Sequence, residues 1–267
     1  MSILADILAR TRADLAQRYP GGLPDGVPAP AAGRPRRPAF ATALRGGPGT
    51  APRVIAELKK ASPSKGLIRS DFRPRELAIE LAEAGAAALS VLTEEHYFQG
   101  APQALREAAA AVRLPLLRKD FIVHEVQLQE ALDWGASAVL LIAAALSPAE
   151  YIRLYRAARA AGLDVLSEVH DRAELDTVLD AGAQIVGVNS RNLKTFATDL
   201  AGTVDLLGRI PADLIRVAES GIRSAADLRR LAAAGADAFL IGETLMRAPS
   251  PGQALRDLLA VAEVAAP

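Results

Sequence analysis

From Val54 onward the chain alternates short apolar runs with longer stretches of helical periodicity. The runs fall at V-I-A-E-L-K (54–59), A-L-S-V-L-T (88–93), L-P-L-L-R-K-D (114–120), A-V-L-L-I (138–142), D-V-L-S-E-V (164–169), Q-I-V-G-V-N (184–189), I-R-V-A-E-S (215–220) and A-F-L-I-G (238–242). Their pattern predicts β-strands, and the Ala/Leu/Glu/Arg-rich stretches between them predict helices. Ser147-Pro148-Ala149-Glu150 supplies an N-cap, a proline at the first helical position and a capping-box glutamate. Ser224-Ala225-Ala226-Asp227 is a weaker start of the same kind. Helix ends carry A-G-A (84–86), W-G-A (134–136), A-G-L (161–163), A-G-A (181–183) and A-G-A (235–237), where glycine closes a helix in the left-handed conformation. These joints form an internal repeat with a period of roughly 20–35 residues. Strand–helix repetition on this scale, in a chain near the usual length of about 250 residues, predicts an α/β fold of the (β/α)8 TIM-barrel type. An open doubly wound sheet is the competitor, but the glycine-rich dinucleotide fingerprint it normally carries after its first strand is missing.

Ahead of the repeats, Ile3, Leu4, Ile7, Leu8 and Leu15 stand at helical spacing and predict a first helix over roughly 3–17. Residues 20–38 are rich in Pro, Gly and Ala, hold the basic cluster Arg34, Arg36 and Arg37, and read as a loop or arm. We therefore divide the chain into an N-terminal helical and Pro-rich extension (1–50) and a barrel catalytic domain (51–267). The 267 residues are 51% apolar with formal net charge 0, enough for a substantial core and without electrostatic reason to expect nucleic acid or an anionic membrane as partner. An aromatic content of 4% also argues against a base-stacking surface. Cysteine is absent, which removes disulfides, thiol nucleophiles and cysteine metal sites. No apolar stretch is long enough to span a bilayer, and the opening M-S-I-L-A-D-I-L-A-R reads as an amphipathic helix, not a signal peptide. A cytoplasmic protein is expected.

In such barrels chemistry gathers at the C-terminal strand ends. Glu57 and Lys59, two residues apart, project to one side of the first strand, next to the small cationic loop Ser62-Pro63-Ser64-Lys65-Gly66. The later strand ends carry Thr93-Glu94-Glu95, Lys119-Asp120, Glu168, Asn189 with Arg191, Glu219-Ser220-Gly221 and Gly242-Glu243. We read these ends as facing one mouth and forming an enzyme site. At the last two strands Gly221 and Gly242 allow backbone N–H groups to approach an anion, the usual phosphate position of barrels, with the hydroxyls of Ser62 and Ser220 completing the cradle. His96, His124 and His170 share no metal-ligand spacing and are expected in or beside surface loops, so no metal is expected.

The segments E-L-K-K-A-S-P-S-K-G, L-S-V-L-T-E-E-H-Y-F-Q-G, L-L-R-K-D-F-I, L-S-E-V-H, G-V-N-S-R-N-L and V-A-E-S-G-I closely resemble the indole-3-glycerol-phosphate synthase family, from about Val54 to Arg247. The resemblance implies ring closure of 1-(2-carboxyphenylamino)-1-deoxyribulose 5-phosphate, with loss of CO2 and water, in tryptophan biosynthesis. It implies Lys119 as general acid, kept acidic enough by neighbouring cations, and Glu168 as the later acid/base group with Lys59 assisting. Glu57 would hold both lysines, Lys59 and Arg191 would meet the anthranilate carboxylate, and Asn189 would hydrogen-bond the substrate. Phe98, Phe121, Leu140 and Leu240 would pack the aryl ring, and Ser62, Ser220, Gly221 and Gly242 would hold phosphate. Glu243 stands where some family members have serine, so contact there would rest on its backbone N–H. No cofactor is implied, and the partner is a small phosphosugar acted on by a monomer or weak homo-oligomer. Two alternatives stay open: another phosphosugar barrel enzyme, such as a Schiff-base aldolase or isomerase, and a non-catalytic phosphosugar-binding barrel.

Overall fold

A computed structural model describes residues 2–24, 26–27, 39–46, 52–191 and 198–263; Arg34, Arg36 and Arg37 of the Pro-rich arm lie outside the described residues. Helix α1 (Ile3–Arg18) opens at Ser2, whose hydroxyl caps the amide of Ala5, and a short helix α2 (Phe40–Leu44) precedes the barrel. Then come β1 (Arg53–Leu58), α3 (Pro74–Glu83), β2 (Ala88–Leu92), α4 (Pro102–Ala111), β3 (Leu116–Lys119), α5 (Val126–Asp133), β4 (Ala138–Ile142) and α6 (Pro148–Ala160). The alternation continues through β5 (Asp164–Val169), α7 (Arg172–Asp180), β6 (Ile185–Asn189), α8 (Leu200–Leu207), β7 (Ile215–Glu219), α9 (Ala225–Ala233), β8 (Ala238–Ile241), α10 (Glu243–Arg247) and α11 (Pro251–Glu263). All eight strands are parallel, and the sheet closes where β1 pairs with both β8 (Arg53↔Ala238) and β2 (Ile55↔Ala88). This is a TIM barrel with a helical extension, as the repeats predict. Among the described residues no helix is long and apolar enough to cross a membrane.

Local signals in the sequence do the work expected of them. The capping box at Ser147 and Glu150 forms, and the one at Ser224 and Asp227 proves equally complete. Gly85, Gly135, Gly162, Gly182 and Gly235 all take positive φ, between +81° and +97°, at the helix-to-strand joints. Small elements that escape the sequence pattern include α2, a two-stranded hairpin that pairs Ala61–Ser62 with Gly66–Leu67, and a 3-10 turn over Ala143–Ala145.

Along each strand alternate side chains face the helices or the barrel axis. Val54, Ala56 and Leu58 join the outer core, whereas Ile55 faces inward with Leu117, Leu140, Leu166, Ile185, Ile215, Val217 and Leu240. The extension attaches at both ends of this interior. Phe40 and Leu44 of α2 are fully buried in the inner cluster, and the amide of Ala41 donates 3.0 Å to the carboxylate of Asp164, at the start of β5. At the opposite end, Ile3, Leu4 and Ile7 of α1 line the cavity at the strands' C-terminal mouth.

Candidate active site

Barrel interiors pack in layers of four, each supplied by alternate strands. Here the layer nearest the mouth is ionic. Two positions beyond Ile55, Leu117, Leu166 and Val217 stand Glu57, Lys119, Glu168 and Glu219, one from each odd-numbered strand. They floor a cavity of 320 Å³. Lys119 Nζ donates to Glu168 Oε2 at 3.0 Å and lies 3.7 Å from Glu219 Oε2. Asn189 Nδ2 donates to Glu168 Oε1 at 3.1 Å, and Lys59 bonds to Glu57. Two glycines make room for these carboxylates: a Cβ on Gly242 would overlap Glu57 Oε1, and one on Gly187 would overlap Glu219 Oε1.

Electrostatics separates the members of this layer. Burial works against the charge of Lys119, but Glu168, Glu219 and Glu57 outweigh it and hold the amine well above its ordinary range. Burial likewise opposes the charge of Glu168, yet Lys119, His170 and the Asn189 hydrogen bond keep its carboxyl below the usual value. Glu219 is left with too little compensation: burial first, and then repulsion from Glu168, push it up to about 8. Its Oε1 is buried with no hydrogen-bond partner. At neutral pH this layer therefore holds a charged lysine, an ionised carboxylate and a neutral carboxylic acid within one contact shell.

The cavity walls divide by chemistry. Phe98 and Phe121, ring centroids 6.1 Å apart, form an aromatic side together with Leu140, Leu240 and the α1 residues Ile3, Leu4 and Ile7. On the other side the rim brings together Ser62, Ser64, Ser220, Gly221, Gly242 and Glu243 with Arg191, Arg223 and Arg247. Ser220 (φ +63°) and Gly221 (φ +72°) are successive left-handed residues, a strained arrangement for serine of the sort that gathers at functional sites. A Cβ on Gly221 would come within 2.6 Å of Thr198 Cγ2. Ser62 Oγ is buried and has no partner.

Several expectations need correction. The neighbours of Lys119 are carboxylates, not cations, so its pKa is raised where a lowered one was anticipated. Among the described residues the close ion pair of Glu57 is with Lys59, while Glu168 and Glu219 hold Lys119 and Glu57 acts on it from farther off. Not all strand ends face the mouth. Glu94 accepts from the amides of His96, Tyr97 and Phe98 at 2.7–3.0 Å, which shapes the loop carrying Phe98, and Asp120 turns its carboxylate to Arg118 and Thr93. The Glu243 carboxylate accepts from Arg191 at 3.2 Å and Arg247 at 3.1 Å, so its side chain is already occupied. His170 does lie in the connection between β5 and α7, as expected, but it is half-buried there, with Nε2 3.6 Å from Glu168 Oε1. Glu219 belongs to the ionic layer although sequence reading assigned that strand end to the phosphate. The signal was present: Glu219 is the last inward position of β7, as Glu57, Lys119 and Glu168 are of their strands.

Fold and site define a (β/α)8 barrel whose mouth holds a cavity with an ionic floor, an aromatic side and a polar, arginine-bearing rim. The profile of one family, indole-3-glycerol phosphate synthase, matches residues 4–258. The chain is 51% identical over 260 residues to the indole-3-glycerol phosphate synthase of Koribacter versatilis (strain Ellin345), covering 97% of this chain and 99% of that protein. It is 55% identical over 207 residues to that of Azospirillum brasilense, covering 78% and 79%. Similarity to solved structures shows the fold alone: 3-hexulose-6-phosphate synthase from Salmonella typhimurium superposes with TM-score 0.64 at 16% identity, covering 79% of this chain and 98% of that one. Thiamine phosphate pyrophosphorylase from Pyrococcus furiosus gives 0.60 at 16%, covering 79% and 96%. The chain belongs to the indole-3-glycerol phosphate synthase family.

Proposed function

We propose that this cavity converts 1-(2-carboxyphenylamino)-1-deoxyribulose 5-phosphate to indole-3-glycerol phosphate, CO2 and water, with the ionic layer carrying the proton transfers. The observation that carries this reading is Lys119 gripped by Glu168 and Glu219 between an aromatic wall and a rim bearing Arg191, Arg223 and Arg247. Phosphate sits at the rim on the hydroxyls of Ser62 and Ser220 and the backbone N–H groups of Gly221, Gly242 and Glu243. The aryl ring lies against Phe98, Phe121, Leu140 and Leu240, with its carboxylate toward Lys59 and Arg191, and Asn189 hydrogen-bonds the sugar.

As the aryl carbon attacks the ketone, a carbon–carbon bond forms and the carbonyl oxygen takes a proton from Lys119 Nζ. A lysine with a raised pKa is a weak acid, but an alkoxide is a stronger base still, so the transfer runs downhill. CO2 departs and its bonding electrons return to the ring. Glu168 and Lys59 then serve the loss of the hydroxyl as water, each transfer contributing about 10²–10⁴ in rate. Glu57 steadies Lys59. Neutral Glu219 adds a carboxyl able to donate a hydrogen bond beside Lys119. The substrate's own ketone and arylamine drive the decarboxylation, so no cofactor or metal enters the scheme.

Residues 1–50 act in this reading as an extension of the catalytic domain 51–267, in a cytoplasmic enzyme that is a monomer or weak homo-oligomer with no nucleic-acid or membrane partner. A Schiff-base aldolase would need a neutral lysine as nucleophile, which the carboxylates around Lys119 oppose. The test is indole fluorescence on adding the carboxyphenylamino-deoxyribulose phosphate to purified protein. Product formation without a borohydride-trappable lysine adduct is expected; no product overturns the reading.

A further inference from the structure

His170 stands two residues beyond Glu168, at the end of β5, and takes no part in lining the cavity. Its ring is held from one side. Glu174 Oε2 accepts from the His170 backbone N–H at 2.7 Å and lies 3.1 Å from Nδ1. Glu174 is itself fixed in the first turn of α7, where its amide donates 2.9 Å to the N-cap carboxylate of Asp171. An ionised carboxylate only accepts, so Nδ1 carries hydrogen. The other nitrogen, Nε2, is buried, has no hydrogen-bond partner, and lies 3.6 Å from Glu168 Oε1. That distance is a charge contact rather than a hydrogen bond. A neutral ring would aim a lone pair at a carboxylate oxygen, so one proton must reside within the pair. Lys119 and Asn189 both donate to Glu168, which favours its anion and leaves the proton on His170. Glu168 on β5, Glu174 on α7 and Glu219 on β7 face the ring, with Lys119 of β3 beyond Glu168. Burial opposes the imidazolium, but these carboxylates outweigh it and raise the His170 pKa.

The reaction itself needs a proton. The substrate carboxylate leaves as neutral CO2 and the hydroxyl leaves as water, so each turnover of the anion consumes one H⁺. Substrate seated in the cavity would cover that side of Glu168, whose side chain is 1% exposed, whereas the His170 side chain behind it retains 16%, with Nε2 itself buried. We propose that His170, oriented by Glu174, is a positioning residue that keeps a proton beside Glu168 and passes on the one consumed in each turnover. The Nε2–H bond breaks as Glu168 Oε1–H forms, the 3.6 Å contact closing to hydrogen-bond distance for the transfer. Glu168 then gives that proton to the hydroxyl as its C–O bond breaks to release water, and Nε2 regains a proton from solvent after product leaves, the ring still bonded to Glu174 through Nδ1–H. The inference rests on the reading of Glu168 as the acid/base group.

The experiment is single-turnover formation of indole fluorescence with enzyme in excess, across pH, for His170→Asn, Glu174→Gln and Glu168→Gln. His170→Asn can still donate to Glu174 but cannot titrate; its rate should fall by about tenfold to a hundredfold, with the enzyme concentration giving half-maximal rate within about twofold, and recover in part with added imidazole. Glu174→Gln keeps an acceptor for the ring but removes its charge, so the alkaline fall in rate should move to lower pH. A wild-type rate in His170→Asn, or a slowed one blind to imidazole, overturns the proposal, as does an unmoved alkaline limb in Glu174→Gln. Full rate in Glu168→Gln would overturn the underlying reading instead, which separates the two failures.

Discussion

Arg118 and Lys119 are neighbours on β3 with opposite fates. Arg118 faces the helices and is 1% exposed, yet every branch of its guanidinium is used. It donates to Asp120 at 2.8 and 3.2 Å, to Gln127 O at 2.6 Å and to Glu130 at 3.1 Å, and its Cζ sits 4.1 Å from the Trp134 ring centroid. Lys119 faces the axis among three carboxylates, one of which has a buried oxygen with no partner. Both clusters are buried and ionic. Although Arg118, Asp120, Gln127 and Trp134 also border a second cavity, the first is closed in its hydrogen bonding, every branch of the guanidinium being met, which suits a structural tie. The second is over-supplied with acid and opens on a cavity, which suits chemistry. Burial of charge does not distinguish the two; completeness does.

The largest expected effect is on the open cluster. Lys119→Ala should lower kcat by about 10²–10⁴ while circular dichroism shows the fold intact. A rate within tenfold of wild type would remove Lys119 from the chemistry and erase the contrast. Next comes the closed cluster: Arg118→Met should cost about 3–5 kcal/mol of unfolding free energy in urea, because Asp120 and Glu130 lose their buried counter-charge. Activity per folded molecule should be retained; lost activity with unchanged stability would reverse the assignment.

The pH dependence of Glu219 gives a subtler effect. Its folded pKa, about 8, lies above the ordinary carboxyl value of 4.5, so over that interval the unfolded chain holds fewer protons than the folded one. Stability from this group is therefore fully present below about 4.5 and declines as pH rises toward about 8. Glu219→Gln should flatten that decline in urea titrations at stepped pH; parallel curves for both proteins would show that Glu219 is not the neutral member of the layer. The smallest effect marks the edge of the closed cluster. Arg18 bonds Glu130 at 2.8 Å but its side chain is 43% exposed, so Arg18→Ala should cost no more than about 1 kcal/mol and less in high salt.

What was legible in the sequence follows the same divide between local and assembled features. Strand limits, caps and glycine joints are written within a few residues of where they act, so the barrel could be read before its closure was seen. Helix α2 could not, because five residues among prolines and glycines carry no periodicity. Glu57, Lys59, Lys119, Glu168, Asn189 and the rim residues do converge on one cavity. Their pairing was another matter. Lys119 meets Glu168 and Glu219 only because barrel closure brings β3, β5 and β7 around one axis, and no local pattern encodes such contacts. The same holds for His170, whose chain position suggests a loop while its partners come from β5 and α7.

The placement of α1 and α2 bears on modularity. One stretch of chain ahead of the first strand roofs the mouth with Ile3, Leu4 and Ile7 and plugs the far end with Phe40 and Leu44. The eight strands are thus not a freely exchangeable cassette: a recombinant that swaps them without this stretch leaves the cavity unroofed at one end and the packed inner apolar layer facing water at the other.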